Sequence, residues 1–418
     1  MRKWKFISVF VLLALLLGAG ITVAVGQASG SAQDAQESEG FALRAKTVNA
    51  ALTQNALFDC AIYQPGSDTV LPVEQQVFQI AQDVKITPDD GREYLGAVWS
   101  PDGTAMVFVA PTDEQRNIQD DDALLSDEET RLVAVSKNEL VLYFPERDDW
   151  EPITSDGARP VWTADGQDIY YMAGTDLMRF NRGTRASVRT GLSAPRTGVG
   201  LLFSQSLSDG RLLAPRQSHA PIEVQGGATP TALGQIGVAE SDHILLSPQG
   251  AQAIVAYGAN TWKGQFVPAI TVLHQSDGRV TPIMKNCQYS AIEMIWSPDG
   301  SQIAYPVHAE RSEIRIYDVT SGQARILVRL DSTDLLSGLS WSPDGKYLAF
   351  TQGDDRSTPR SIWAVSTDGA VRQRLVEGGL LPNWSPDGQH ILYARPGSGR
   401  LLDWHLLEVQ PTANVEGE

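Results

Sequence analysis

Apolar positions in this chain fall into one long uninterrupted run and many short ones. The long run, Phe6–Val25, is uncharged and follows Arg2, Lys3 and Lys5. As a helix it would be about 30 Å long, the thickness of a bilayer's hydrocarbon core. Basic residues ahead of such a run keep the N-terminus in the cytoplasm, so the remainder is expected outside it. Two readings stay open: a signal cut near Ala24-Val25-Gly26 or Gly26-Gln27-Ala28, and an uncleaved membrane anchor. Residues 1–28 form this segment and 29–54 a polar linker, whose start (QASGSAQDAQESEG, Gln27 to Gly40) is small and unpatterned. No Cys follows the run closely, which excludes a lipoprotein anchor.

Beyond residue 55 the apolar runs are short, and five share one pattern. A Gly is followed, at the third and fifth positions, by an aliphatic and an aromatic residue: Met106/Phe108, Ile169/Tyr171, Ile303/Tyr305, Leu348/Phe350 and Ile391/Tyr393. A spacing of two puts both on one face of a strand. The residues between them, Val107, Tyr170, Ala304, Ala349 and Leu392, are apolar too, which predicts strands buried on both faces.

The same five-residue string precedes these strands. Trp-Ser-Pro-Asp-Gly stands at Trp99–Gly103, Trp296–Gly300, Trp341–Gly345 and Trp384–Gly388, with Asp102, Asp299, Asp344 and Asp387 at its fourth position. A variant runs from Trp162 through Asp165 to Gly166, another is Leu246–Gly250, and a shortened copy is Leu207–Gly210. Pro presets the turn, Ser bonds back to its backbone, and Gly takes the left-handed conformation that closes the hairpin. The indole ends one strand and offers a large apolar area for packing. Third strands are expected at Glu313–Val319 and Ser361–Val365, fourth strands at Ala324–Val328 and Arg372–Val376. A period in the forties with four short strands per unit predicts an all-β propeller over 55–410, followed by a tail, 411–418. Seven anchors favour seven blades, and leaving out Leu207 gives six. Only about three strands follow Trp384, so a strand from Phe58–Ile86 is expected to complete the last blade, since a free sheet edge invites pairing.

The Pro-Asp-Gly unit resembles the repeats of TolB-like periplasmic proteins, which also occur in propellers of prolyl-oligopeptidase-like enzymes. The resemblance covers roughly residues 90–410 and speaks for architecture. TolB proper would imply an α/β domain ahead of the propeller and docking to an outer-membrane lipoprotein. The roughly 60 residues between linker and first anchor are too few for that domain, so the resemblance is to a TolB-like propeller and not to TolB proper.

Composition narrows the function. The net charge of −17 disfavours phosphate backbones and anionic membrane surfaces as partners. Cys60 and Cys287 exclude a four-thiolate zinc site and a CxxC motif. They read either as a disulfide, stabilising by roughly 4–5 kcal/mol in the chain-entropy model, or as two buried thiols. No Gly-x-Ser-x-Gly elbow occurs, and the nearest string, at Gly338 and Ser340, lies on a blade strand, so a serine hydrolase is rejected. The six histidines (His219, His243, His274, His308, His390, His405) form no i,i+4 pair. The eight carboxylates of Asp113–Glu129 read as an acidic insertion between two strands of the first blade, without the pattern of a calcium loop. No catalytic residue, cofactor or metal is assigned. The expectation is an exported, non-enzymatic module that binds a protein or glycan at the envelope. The alternative is a propeller enzyme, a polysaccharide lyase or hydrolase, with residues converging in the central tunnel.

Overall fold

The computed structural model describes residues 71–112, 138–174, 176–193, 205–206, 212–215, 221–224, 231–232, 243–257, 261–262, 265–266, 269–274, 280–285, 294–308, 312–330, 334–354, 358–397 and 402–412. Their regular structure is all strand. The leader, the linker, the acidic insertion and both cysteines lie outside the described residues. Among the described residues no helix is long and apolar enough to cross a membrane.

The chain divides into two compact units. One comprises Tyr63–Asp127, Lys137–Ser155 and Gln288–Glu418; the described part of the other lies within Asp156–Cys287. In the first unit, successive sheets repeat one antiparallel meander. Ile295–Trp296, Gln302–His308, Ser312–Asp318 and Gln323–Arg329 make one sheet. Leu336–Trp341, Tyr347–Asp354, Thr358–Ser366 and Val371–Glu377 make the next. Gly96–Trp99, Met106–Pro111 and Asn138–Phe144 lead into Asp149–Trp162, a long strand whose second part belongs to the other unit.

The last sheet is assembled from both ends of the chain. Leu380–Trp384, His390–Pro396 and Leu402–Pro411 are followed in the sheet by Phe78–Lys85, which pairs antiparallel from Phe78↔Pro411 to Lys85↔His405. The completing strand thus falls inside the stretch expected to supply it. Upstream, Val73–Glu74 adds a parallel fifth strand to the preceding sheet, on Val371 and Arg372.

Apolar faces stack sheet on sheet, which is why the second strands are buried on both sides. Ile314, Ile316 and Val328 pack with Trp341, Phe350 and Trp363. Ile362, Ala364 and Val376 pack with Phe78, Trp384, Tyr393 and Leu407. Leu392, Ala394 and Trp404 pack with Met106, Phe108 and Tyr143.

The other unit continues the pattern. Asp168–Ala173, Asp176–Asn181 and Ala186–Ser193 follow Trp162; Gln205–Ser206, Leu212–Pro215, Pro221–Val224 and Thr231–Ala232 form a four-stranded sheet. So do His243–Leu246, Gln252–Tyr257, Ala269–His274 and Val280–Lys285. The degenerate Leu207–Gly210 copy lies outside the described residues.

Candidate functional site

The repeated corners come first, because they account for most of the recurring carboxylates. In each, the Ser or Thr hydroxyl donates to the Asp two residues on: Ser100 to Asp102 at 2.6 Å, Thr163 to Asp165 at 2.6 Å, Ser297 to Asp299 at 2.6 Å, Ser342 to Asp344 at 2.7 Å, and Ser385 to Asp387. The same hydroxyl oxygen accepts a backbone N–H five residues on, as from Tyr347 to Ser342 at 2.9 Å. The carboxylate also accepts the N–H two residues beyond it, as from Lys346 at 3.0 Å. The hydroxyl and backbone bonds hold the Asp165 and Asp299 carboxyls below the usual carboxylate range. Glycine is required by φ near 70°, for example 71° at Gly103 and 72° at Gly345 and Gly388. These carboxylates are turn staples. Corners of successive sheets also touch: a Cβ at Gly388 would stand 3.2 Å from Pro343 Cγ, and one at Gly103 3.8 Å from Pro386 Cδ.

Two of the corner indoles reach sideways. Trp341 Nε1 donates to the Ile295 carbonyl at 3.5 Å, and Trp99 Nε1 to that of Asn383 at 3.4 Å, in both cases the residue before the neighbouring sheet's Trp. Three residues ahead of the Trp the first strand bulges. Gly338 (φ 60°), Leu381 (φ 56°) and Arg159 (φ 55°) are left-handed at register shifts before Trp341, Trp384 and Trp162. For Leu and Arg this conformation costs on the order of 1–2 kcal/mol. The Leu381 N–H is held by Thr351 Oγ1 at 3.0 Å. In the other unit, burial pushes the Arg159 guanidinium down to about 10.

The closing sheet carries a polar cluster that no local motif announces. Asp83, on the strand from the N-terminal side, accepts Tyr393 OH at 2.7 Å and Arg395 Nη2 at 2.9 Å, and lies 3.2 Å from His405 Nδ1. A proton on Nδ1 would be donated to Asp83, leaving Nε2 as an acceptor. Desolvation lowers the His405 pKa from its usual 6.5 and raises that of Tyr393, so both are neutral at pH 7. Lys85 pairs with Asp89 and, at 3.1 Å, with Asp403. Nearby, the Gln373 side chain satisfies the turning N-terminal segment: its Oε1 accepts from Val77 N at 2.8 Å and Phe78 N at 2.7 Å, and its Nε2 donates to Phe78 O at 2.9 Å.

A second charged group is more buried. Glu313 receives Arg315 through Nε at 2.8 Å and Nη2 at 2.7 Å, and Arg329 through Nε at 2.8 Å. Tyr305 lies opposite Arg315 on the neighbouring strand, and burial pushes its hydroxyl up to about 12. Among the described residues no group of three or more His, Cys, Asp or Glu side chains is placed to hold a metal ion.

No family model matches the chain, and no curated protein does. Solved structures do. An oligogalacturonate lyase in complex with manganese aligns with a TM-score of 0.58 at 15% identity, over 81% of this chain and 97% of that one. The β-propeller domain of the trilobed protease from Pyrococcus furiosus aligns at 0.52 and 10% identity, over 78% of this chain and 99% of that one. The fold is a β-propeller. TolB from Acinetobacter baumannii aligns at 0.38 and 17% identity, over 67% of this chain and 63% of that one, a score from which nothing further follows. The four-stranded sheets are therefore propeller blades.

Proposed function

We propose that this chain is an exported, non-enzymatic TolB-like propeller of seven blades that binds a protein or glycan partner at the cell envelope. Residues 1–28 deliver it there, as a cleaved leader or a membrane anchor. Seven four-stranded sets, counting the long Asp149–Trp162 strand in two of them, support the blade number.

One observation carries the binding role. First strands line the channel of a propeller; those of the other unit carry His243 and Arg159, but Gly96–Trp99, Ile295–Trp296, Leu336–Trp341 and Leu380–Trp384 contain aliphatic, small hydroxyl, amide and indole groups and no ionisable side chain. Such a lining suits recognition by shape and hydrogen bonding, whereas general acid–base chemistry needs titratable groups in reach of a substrate. The recurring aspartates do not supply them, since each is tied into its own corner. Affinity capture from envelope extracts tests the reading: a retained protein or glycan is expected, and failure to retain any counts against it.

A second reading, a polysaccharide lyase or hydrolase, draws on Arg159, a partly buried cation at a strained bulge in the first strand of its blade. The fold likeness to an oligogalacturonate lyase names a substrate to try. Turnover of oligogalacturonate with manganese present, lost on Arg159→Gln, would replace the non-enzymatic reading.

A further inference from the structure

The groove filled by Phe78–Lys85 is shaped for one particular strand. Tyr347 and Trp384 hold the Phe78 ring, the Gln373 amide bonds Val77 N, Phe78 N and Phe78 O, and Tyr393 and Arg395 bond the Asp83 carboxylate. Phe78 and Asp83 stand at an odd spacing, which in a regular strand puts side chains on opposite faces. Here Phe78 lies opposite Pro411 and Asp83 opposite Leu407, because the register shifts between Ile80 and Gln82. The extra residue brings ring and carboxylate to one face. A strand without that bulge and spacing misses one of the two holds, so the occupant that fits is this sequence.

Nothing in that fit requires the strand to come from the same copy. Of its eight residues only Phe78 is buried. The chain that follows is held by two blades in turn. Ile86 N donates to Trp404 O at 2.9 Å and Trp404 N to Thr87 Oγ1 at 3.1 Å, so both residues still belong to the closing blade. Asp90 already belongs to the first blade: it accepts Tyr94 OH at 3.1 Å and Arg92 Nε at 2.6 Å, and Arg92 Nη1 donates to Glu139 at 2.9 Å. Between these holds stand Pro88 and Asp89, and the Asp89 ion pair, to Lys85, travels with the strand. Pro88 favours an extended Thr87, and a short hinge of this kind invites the strand to pass to a neighbour. In an exchanged pair each groove meets the same ring, backbone and carboxylate as before, so those contacts cancel and the hinge sets the balance.

We infer that two copies of this chain exchange their Phe78–Lys85 strands, each completing the other's last blade. The inference does not depend on what the propeller binds.

Light scattering on the full chain over a concentration series is expected to show a dimer beside the monomer. Two differently tagged variants expressed together, Gln79→Cys and Gln410→Cys, tell whether strands have crossed. The two positions are exposed and face each other in the ladder, so a disulfide joins them between copies when one copy's strand lies on the other's Leu402–Pro411. A mixed covalent dimer is expected, and none when either variant is paired with the unsubstituted chain. Inserting Gly-Ser between Asp89 and Asp90 lengthens the hinge and is expected to leave only monomer. A chain that is monomeric throughout would overturn the inference. So would a dimer in which the mixed disulfide fails to form, or forms as readily with the unsubstituted chain, or a dimer unchanged by the insertion.

Discussion

Two neighbouring blades of one unit show how the same corner can close a sheet in two ways. In the Leu336–Glu377 blade the fourth strand follows the third through a tight turn, Ser366 to Gly369, stapled like the corners: Ser366 donates to Asp368 at 2.5 Å, and Asp368 accepts from Ala370 N at 2.9 Å. In the closing blade the fourth strand, Phe78–Lys85, lies about 300 residues upstream of its partners. No turn sets its register there. Side chains do it instead: Phe78 fits between Tyr347 and Trp384, at centroid distances of 4.7 and 5.7 Å, Gln373 holds the strand's beginning, and Asp83 bonds near its end. Local closure needs a few well-placed atoms in a turn; distant closure here relies on one buried anchor, Phe78, and on side-chain bonds at both ends of a strand otherwise exposed, because loop-closure entropy is recovered only once the contacts form.

The comparison breaks most visibly at Phe78, which is 3% exposed. Phe78→Ala is expected to lower unfolding stability by about 3–5 kcal/mol, read by chemical denaturation, and to raise protease sensitivity in the closing blade first. Gln373→Ala removes the acceptor of the Val77 and Phe78 N–H groups and one of the two donors to the Phe78 carbonyl, and is expected to cost about 2 kcal/mol. The corresponding local change, Asp368→Ala, removes a turn staple and is expected to cost about 1 kcal/mol. Equal losses from Gln373 and Asp368 would erase the distinction between the two closures.

Acid sharpens the contrast with a smaller effect. The folded pKa of His405 lies below its usual 6.5, so the unfolded chain binds more protons between those two values. Closing-blade stability is therefore complete above 6.5 and declines as pH falls through that window. Asp368 is held below its usual 3.8 by Ser366 and the Ala370 N–H, so the local closure weakens only at lower pH. Melting temperatures at pH 7 and 5 should show a drop that His405→Gln reduces and Asp368→Asn leaves in place.

What was legible in the sequence follows the same division. The corner is complete within six residues, from hydroxyl to Asp to Gly, and Trp-Ser-Pro-Asp-Gly spells it out; the strands after it carry their burial in their aromatic and aliphatic spacing. The closing strand was inferable from an unfinished last blade, although its two-blade attachment through Val73–Glu74 and Gln373 was not. Asp83 meets His405 across 322 residues, and Glu313 meets Arg329 across a hairpin, so neither group leaves a short-range pattern. The bulges at Arg159 and Leu381 were equally hidden, since neither side chain favours the left-handed backbone it adopts.

The brief parallel pair at Val73–Glu74 bears on how the chain would carry load. A tug from upstream meets this two-residue fastening and the Glu74–Arg372 ion pair first, then the Gln373 amide, and only afterwards the long ladder beyond Phe78. Strain is shed at an expendable outer latch before it reaches the strand that completes the last blade.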